Sequence, residues 1–219
     1  MGISDYQITF PNAEIGQIVQ SNELIDVSIN QNLTNGLIVN LPITFQTDNG
    51  YQSEKNIEIQ IGQVSVTDPL GPDNYGYFIY DQNDDYELAP TYDWIEIDPN
   101  YGGPGEELNN LNDNGDNGDD VVTVDLPFEF TFYGIDYDRL SICSNGWIAF
   151  GDTDMRSFRN YTLPGPGGPP KMVAVFWDDL MTTGGGDVIT YYDQLNDYFV
   201  VEWSDVRTFY NNSLESFQV

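Results

Sequence analysis

One stretch near the middle of the chain restricts the fold more than any other, because apolar side chains occupy every second position in it. These residues are Val122, Val124, Leu126, Phe128, Phe130 and Phe132. Successive side chains of an extended strand point to opposite faces, so all of them would lie on one face of a sheet. The pattern predicts a long strand with one buried face. No window of the sequence shows convincing helical periodicity, and the expected fold class is therefore all-β.

The same alternation predicts a separate sheet in the first part of the chain. Apolar residues occupy alternate positions in residues 37–45 and again in residues 57–61. Between these runs, Asp48-Asn49-Gly50 is typical of the tight turn of a β-hairpin. Residues 1–64 are therefore predicted to form a small immunoglobulin-like β-sandwich.

A second, larger antiparallel β-sandwich with long acidic loops is expected from residues 77–219. The residues between the two sandwiches, 65–76, contain Asp-Pro and Gly-Pro pairs and are predicted to be a linker. Residues 99–120 have few large apolar groups, which predicts a long acidic loop. Short apolar runs separated by turn residues predict the strands that follow. These runs are residues 140–143, 147–150, 172–177, 188–192 and 199–203.

The charge of the chain argues against two classes of partner. The sequence has 36 acidic residues against 6 Lys and Arg, a formal net charge of -30 at pH 7. Such a field repels phosphate backbones and anionic lipid surfaces. No apolar run approaches the ~20 residues that a membrane-spanning helix needs. Neither nucleic-acid binding nor membrane insertion is therefore expected.

The chain contains no histidine and a single cysteine, Cys143, in a strand-like run. Without histidine there are no Ser-His or Cys-His nucleophile pairs and no His-containing metal sites. Cys143 is predicted to be a buried free thiol. No enzyme activity is expected. A Ser-Lys dyad with Lys55 or Lys171 stays open as an alternative. A glycoside hydrolase with paired carboxylates stays open as well, although a chain with so many acidic residues forms such pairs by accident.

Two segments of the second predicted domain carry a family resemblance. Residues 126–134 read LPFEFTFYG, and residues 144–151 read SNGWIAFG. Together they resemble the nidogen-like β-sandwich motif of many secreted bacterial proteins. Other segments extend the resemblance to modules that lie downstream of gingipain-type cysteine peptidases, which are typically exported by type IX secretion. These segments are GYFIYD at 76–81, YDWIEI at 92–97, FRN at 158–160 and VFWDDL at 175–180.

The resemblance implies a non-catalytic accessory module of a secreted or cell-surface multidomain bacterial protein, whose partners are other domains of the same parent chain. Peptidase activity is not implied, because no Cys/His peptidase core is present. The chain begins in a polar, strand-like stretch and stops at Phe217–Val219 as if inside a strand. It is therefore expected to be an excised fragment, truncated at its C-terminus, whose export signal lies outside it.

Two acidic segments of the second predicted domain are candidate ligands for one metal ion. The candidates are Asp81, Asn83, Asp84 and Asp85 in one segment and Asp178 and Asp179 in the other. Ligands that are all oxygens favour calcium over zinc, which prefers Cys or His. One interpretation is a calcium site shared by the two segments. The alternative is that Asp178 and Asp179 only form the turn at the end of a strand.

Residues 112–120, NDNGDNGDD, are a further oxygen-rich stretch. Its candidate calcium ligands are Asp113, Asp116 and Asp119. The glycine and the terminal glutamate of an EF-hand loop are not in register here, so a solvated flexible loop is an equal alternative. Because repulsion among so many carboxylates opposes the compact state, bound calcium is predicted to stabilise the second domain.

The aromatic residues leave another function open. The chain has 15 Tyr and 4 Trp, and exposed aromatic rings can stack on sugar rings. An adhesin or carbohydrate-binding module, with a glycan or a surface protein as its partner, is therefore an alternative to a passive accessory module. Most of these rings are nevertheless expected in the core and its rim. Asn145-Gly146 is interpreted as a turn that needs a positive φ.

Overall fold

The computed structural model describes residues 2–4, 7–29, 33–115 and 118–219. Over this part of the chain, the regular structure consists of β-strands and one 3-10 helix of three residues. The predicted all-β fold class is thus confirmed. The chain divides into two compact units, Met1–Asp93 (unit 1) and Trp94–Val219 (unit 2).

In the residues that the structure describes, unit 1 has four strands, and unit 2 has nine, among them the longest strand. Those of unit 1 are β1 (Gly2–Ser4), β2 (Asp26–Ser28), β3 (Ile38–Gln46) and β4 (Gln52–Gln60). Those of unit 2 are β5 (Glu106–Glu107), β6 (Val121–Phe132), β7 (Ile135–Cys143), β8 (Trp147–Phe150), β9 (Met172–Ala174), β10 (Leu180–Met181), β11 (Asp187–Asp193), β12 (Tyr198–Thr208) and β13 (Leu214–Gln218). The 3-10 helix is Pro99–Tyr101.

Unit 1 contains the predicted hairpin. β3 pairs antiparallel with β4, and the register places Val39 opposite Ile59 and Leu41 opposite Ile57. These apolar side chains share one face, as the alternation predicted. Leu70 and Ile79 form an isolated bridge, so part of the predicted linker is bonded to the segment after it. The domain bounds predicted from the sequence stay a prediction.

One sheet of unit 2 has four antiparallel strands in the order β6-β7-β8-β9. β6 is the strand predicted from the six alternating apolar residues, and its register with β7 shifts between Asp125 and Phe130. The predicted run at 140–143 ends β7, and the run at 147–150 is β8. The run at 172–177 is only partly a strand, because β9 ends at Ala174.

The other sheet of unit 2 has five strands around β12. β12 pairs antiparallel with β10, β11 and β13, and β11 also pairs with β5. β5 and the buried Leu111 lie in the segment predicted as a long acidic loop, so that segment contributes both to the sheet and to the core.

The core of unit 2 lies between the two sheets. Ile142 and Ile148 come from the four-stranded sheet, and Leu180, Val201 and Trp203 come from the five-stranded sheet. The indole Nε1 of Trp203 donates to the carbonyl oxygen of Cys143 at 2.9 Å, which links the sheets directly. The Cys143 thiol is free and buried, as predicted, and burial raises its pKa to about 12. It is therefore not a nucleophile at neutral pH.

Candidate functional site

The Ser144–Gly146 motif forms the turn between β7 and β8. The residues Ser144 and Asn145 are 0% exposed. Gly146 has φ +75, and a Cβ at this position would lie 2.0 Å from the carbonyl oxygen of Phe176. Only glycine fits such a close approach of two backbones in the left-handed region. The predicted positive-φ turn is confirmed, and its polar side chains point into the protein.

Asn145 connects three segments of unit 2. Its Oδ1 accepts a hydrogen bond from the Leu180 amide of β10 at 2.9 Å. Its Nδ2 donates to Asp119 Oδ1 at 2.9 Å and to the carbonyl oxygen of Arg156 at 3.4 Å. The side chain thus bridges the acidic loop, β10 and the segment after β8. A buried amide that bonds through both its oxygen and its nitrogen is a structural cross-link.

Asp113 is the central residue of the acidic loop. Its carboxylate accepts hydrogen bonds from Ser144 Oγ at 2.6 Å and from the Gly115 amide at 2.8 Å. Its main-chain oxygen accepts from the amides of Thr182 and Thr183, both at 3.0 Å. Burial raises the pKa of Asp113, and the neighbouring carboxylates of Asp119 and Asp120 add to this effect. The structure therefore brings Asp113 and Asp119 together around the motif turn.

Asp120 of this loop also bonds within the protein. Asp120 Oδ2 accepts from the Asn112 amide at 3.2 Å, and Asp120 Oδ1 lies 3.7 Å from the guanidinium of Arg156. Asp116, the third predicted ligand of this stretch, lies outside the described residues. Asp113, Asp119 and Asp120 thus connect the acidic loop to the motif turn through hydrogen bonds.

Two tryptophans bind the segment between β8 and β9, which contains Ser157. Trp147 and Trp177 both donate their indole N–H to the carbonyl oxygen of Ser157, at 2.9 and 2.8 Å. Both rings pack with Cys143 and Ala149 in one buried cluster. The motif residues SNGW and VFWDDL are therefore joined at a single carbonyl.

The predicted ligand Asp178 is exposed and Asp179 is half-buried, just beyond Trp177. Asp178 Oδ1 accepts from the Asp179 amide at 2.8 Å, and the main-chain oxygen of Asp179 accepts from the Phe209 amide at 2.8 Å. The pair lies between β9 and β10, at the turn that leads into the five-stranded sheet.

The predicted ligands Asp81, Asn83, Asp84 and Asp85 belong to unit 1, where the first three form a turn. Asp81 Oδ1 accepts from the Asn83 amide at 2.6 Å, and Asp84 Oδ2 accepts from the Asp81 amide at 2.8 Å. The Asp85 amide donates to the main-chain oxygen of Thr67. Within the described ranges, no group of three or more Asp, Glu, Cys or His side chains is arranged to hold a metal ion. The calcium site stays a prediction.

A buried carboxyl that the sequence did not suggest is Glu202 on β12, which is 2% exposed. Gln218 Nε2 donates to its Oε2 at 3.2 Å. Burial raises the pKa of Glu202 to about 7, and the carboxylates of Glu96 and Asp98 contribute. Asp98 is buried as well and accepts from Ser204 Oγ at 2.6 Å. Glu202 lies on the face of β12 that points away from the core between the sheets. Sequence alternation predicts that side chains on this face are exposed to solvent, so no pattern could have revealed the burial of Glu202.

The arrangement around the motif offers no activated nucleophile among the residues described. Ser144 Oγ donates to a carboxylate, the Cys143 thiol is protonated at neutral pH, and the Lys171 ammonium lies 4.7 Å from the ring centre of Tyr137. No helix in the described part of the chain is long and apolar enough to cross a membrane.

A family model described as NIDO related matches residues 101–219. The match covers the motif turn, the acidic loop and all the strands of both sheets of unit 2. Comparison with curated proteins gave no match, and comparison with solved structures gave none either. The matched residues are more than half of the chain, which therefore belongs to the NIDO-related family.

Proposed function

We propose that this chain is a non-catalytic accessory module of a secreted or cell-surface multidomain protein. The observation that supports this most directly is that the polar side chains of the motif turn and its partner Asp113 are buried and bonded inside the protein. Ser144, Asn145 and Asp113 are buried, and their hydrogen bonds join segments of the protein. Such side chains stabilise a fold and do not face a substrate. The NIDO-related family, an extracellular type of module, supports the same conclusion.

The narrower context is a parent protein with a gingipain-type peptidase, exported by type IX secretion. It is supported by the motif segments around Trp94 and Trp177, which resemble modules of such proteins. Other domains of the parent chain would then be the partners of this module. Reading the coding sequence on both sides of the chain tests this context. A peptidase core upstream and a sorting domain downstream are expected, and an intracellular enzyme in their place would contradict it.

The extracellular location is tested with antibodies against this chain on the cells that produce it. We expect the antibodies to label intact cells or the culture medium, and surface label to disappear after brief treatment with external protease. A cytosolic protein that resists the same treatment is the control for cell integrity. Label that appears only after lysis would contradict the location.

The absence of catalysis is tested with the purified chain on panels of peptide and glycan substrates. No turnover is expected. Turnover that persists in Asn160→Ala but is lost in Lys171→Ala or Glu202→Gln would identify a catalytic group and overturn the proposal. A glycan array run in parallel separates a passive module from an adhesin, because only the adhesin would retain a glycan without cleaving it.

Calcium stabilisation is part of the same proposal. It is supported by the net charge of -30, because carboxylates repel one another in the compact state. It is also supported by the raised pKa of Asp113, which results from burial of its carboxylate and from the nearby charges of Asp119 and Asp120. Calcium is the cation expected to relieve the repulsion among these carboxylates, since its sites combine carboxylates with main-chain and amide oxygens in flexible loops.

A further inference from the structure

A pocket of about 240 Å3 lies in unit 2, between the residues that follow β5 and the turn that joins β10 to β11. Most side chains of its lining are polar, and these are Glu107, Asn109, Asn112, Thr182, Thr183 and Asp187. The apolar part of the lining comes from Leu108, Leu111 and Val188. The volume is somewhat below the ~300 to 1,000 Å3 of pockets for drug-sized ligands. This polar pocket therefore fits a small ligand, of about the size of one ring.

The two walls of the polar pocket are joined by Asp113, which directly follows Asn112. The Asp113 amide donates to Thr182 Oγ1 at 3.1 Å, and its main-chain oxygen accepts from the amides of Thr182 and Thr183, both at 3.0 Å. Its carboxylate accepts from Ser144 in the motif turn. Because hydrogen bonds already connect the walls to each other and to the motif turn, the pocket is preformed, as ligand sites usually are.

Main-chain oxygens orient the two amide side chains of the lining. Asn109 Nδ2 donates to the Glu107 carbonyl at 3.2 Å, and Asn112 Nδ2 donates to the Asn109 carbonyl at 3.1 Å. In the part of the chain that the structure describes, neither side-chain oxygen accepts a hydrogen bond. Each amide thus keeps an acceptor oxygen and a second N–H with which it can bind a ligand.

The chemistry of the lining favours a ligand with hydroxyl groups and without negative charge. The carboxylates of Glu107 and Asp187 only accept hydrogen bonds, whereas the amides and threonine hydroxyls both donate and accept. A hydroxyl group can donate to the former and bond in either sense with the latter. Burial raises the pKa of Asp187, and the charge of Glu107 adds to this effect, so a further anion would be repelled. None of the lining residues is Lys or Arg.

We propose that the polar pocket binds one sugar residue that carries no negative charge. The hydroxyl groups of the sugar bond to the amides, carboxylates and hydroxyls of the lining, and its C–H groups contact the Leu and Val side chains. The motif turn then has a role beyond stability, because Asp113 transmits its position to both walls of the pocket. This binding activity goes beyond the accessory role proposed above.

The first test titrates the whole chain with the methyl glycosides of glucose, galactose, mannose and N-acetylglucosamine. At least one of them is expected to bind, with a Kd of about 1 mM for a ligand of this size. Glucuronic and galacturonic acid glycosides are expected to bind at least about tenfold more weakly than their neutral counterparts, because a carboxylate would face Glu107 and Asp187. No binding of any neutral glycoside, or equal binding of the uronic acids, would overturn the proposal. Tighter binding of the guanidinium compound agmatine than of every glycoside would overturn it in favour of a cationic ligand.

The second test locates the bound glycoside by changes in the amide chemical shifts of the isotope-labelled chain. The largest changes are expected within residues 107–112 and 182–188. Little change is expected at Tyr161 and Tyr210, whose exposed side chains lie outside the lining. Largest changes at these tyrosines would show that the sugar stacks on exposed rings, and would overturn the pocket as its site.

The third test removes one hydrogen-bonding group from each wall. Asn109→Ala and Thr183→Val are each expected to weaken the glycoside about tenfold, the usual effect of one lost hydrogen bond. Asn110→Ala is the matched control, because this neighbouring amide is exposed and lies outside the lining, and its affinity is expected to stay unchanged. Equal affinities of all three variants would overturn the proposal. The accessory role would stand in that case, since cellular location and turnover test it separately.

Discussion

At the scale of single residues, Asn145 shows how the motif turn stabilises the folded state. Its Oδ1 is the acceptor for the buried Leu180 amide. In Asn145→Ala this donor loses its acceptor, and a buried unsatisfied group costs about 1–3 kcal/mol. We expect the free energy of unfolding to fall by about that amount. Urea denaturation followed by tryptophan fluorescence measures it for unit 2, because all 4 Trp lie there.

The matched control for this substitution is Asn160→Ala. Asn160 is exposed, and exposed substitutions usually change stability by less than about 0.5 kcal/mol. Equal unfolding midpoints for the two variants would show that Asn145 is not a structural cross-link. The motif would then need a functional explanation outside the folded core.

At the scale of elements, residues 94–105 form a covering segment on the outer face of the five-stranded sheet. Ile97 packs against Ile189 and Val200. The Gln218 side chain bonds to both main-chain groups of Ile95, with Nε2 donating to the carbonyl at 3.0 Å and Oε1 accepting from the amide at 3.1 Å. This segment excludes water from Glu202, which is why the pKa of Glu202 is raised.

The pKa of Glu202 predicts how this element responds to pH. The folded-state pKa of about 7 lies above the ordinary value of 4.5, so the folded state holds the proton more tightly. The contribution of protonated Glu202 to the free energy of unfolding is therefore complete below pH 4.5 and is lost as the pH rises through 7. We expect the native chain to lose roughly 1–3 kcal/mol between these limits from this group, whereas Glu202→Gln, which stays neutral, loses less.

Unfolding in urea at pH 5, 6, 7 and 8 measures this difference. Glu129→Gln on β6 is the control, because that carboxylate is exposed. The acids that face Glu202 from the covering segment are Glu96 and Asp98. In the same sheet, Asp187 lies on the adjacent strand β11, and Glu107 lies on β5, which pairs with β11. Parallel pH curves for the native chain and Glu202→Gln would contradict the prediction.

At the scale of the whole molecule, the excess of 36 acidic over 6 basic residues predicts stabilisation by calcium. A cation that binds only the folded state adds ~2.7 kcal/mol at a hundredfold excess over Kd. This corresponds to a rise in Tm of roughly 5 to 11 °C. Thermal melts in chelator and in millimolar calcium measure the effect, and magnesium controls for general screening of charge.

Two substitutions assign the calcium effect to one of the units. Asp81→Asn alters the turn of unit 1, and Asp119→Asn alters the acidic loop of unit 2. The substitution that removes the calcium-dependent rise identifies the unit that binds. Equal Tm values in chelator, magnesium and calcium would contradict calcium stabilisation.

The sequence by itself determined the fold class, the hairpin of unit 1 and the longest strand of unit 2. It could do so because alternation at period two is a local property, which the chain shows wherever one face of a strand is buried. The motif turn was equally accessible, since Asn145-Gly146 has the local chemistry of a positive-φ turn. The segments that resemble the nidogen-like motif lie mainly in the residues that match the NIDO-related family.

Only the tertiary structure decided which acids are buried. Asp113 belongs to a polar segment, and Glu202 occupies the face of β12 that alternation predicts to be exposed. Both become interior because Ser144, Gln218 and the covering segment reach them from distant positions. Strand pairing over long separations, such as β5 with β11, is likewise invisible in local patterns. Alternation tells which side chains share a face, whereas only packing decides what covers that face.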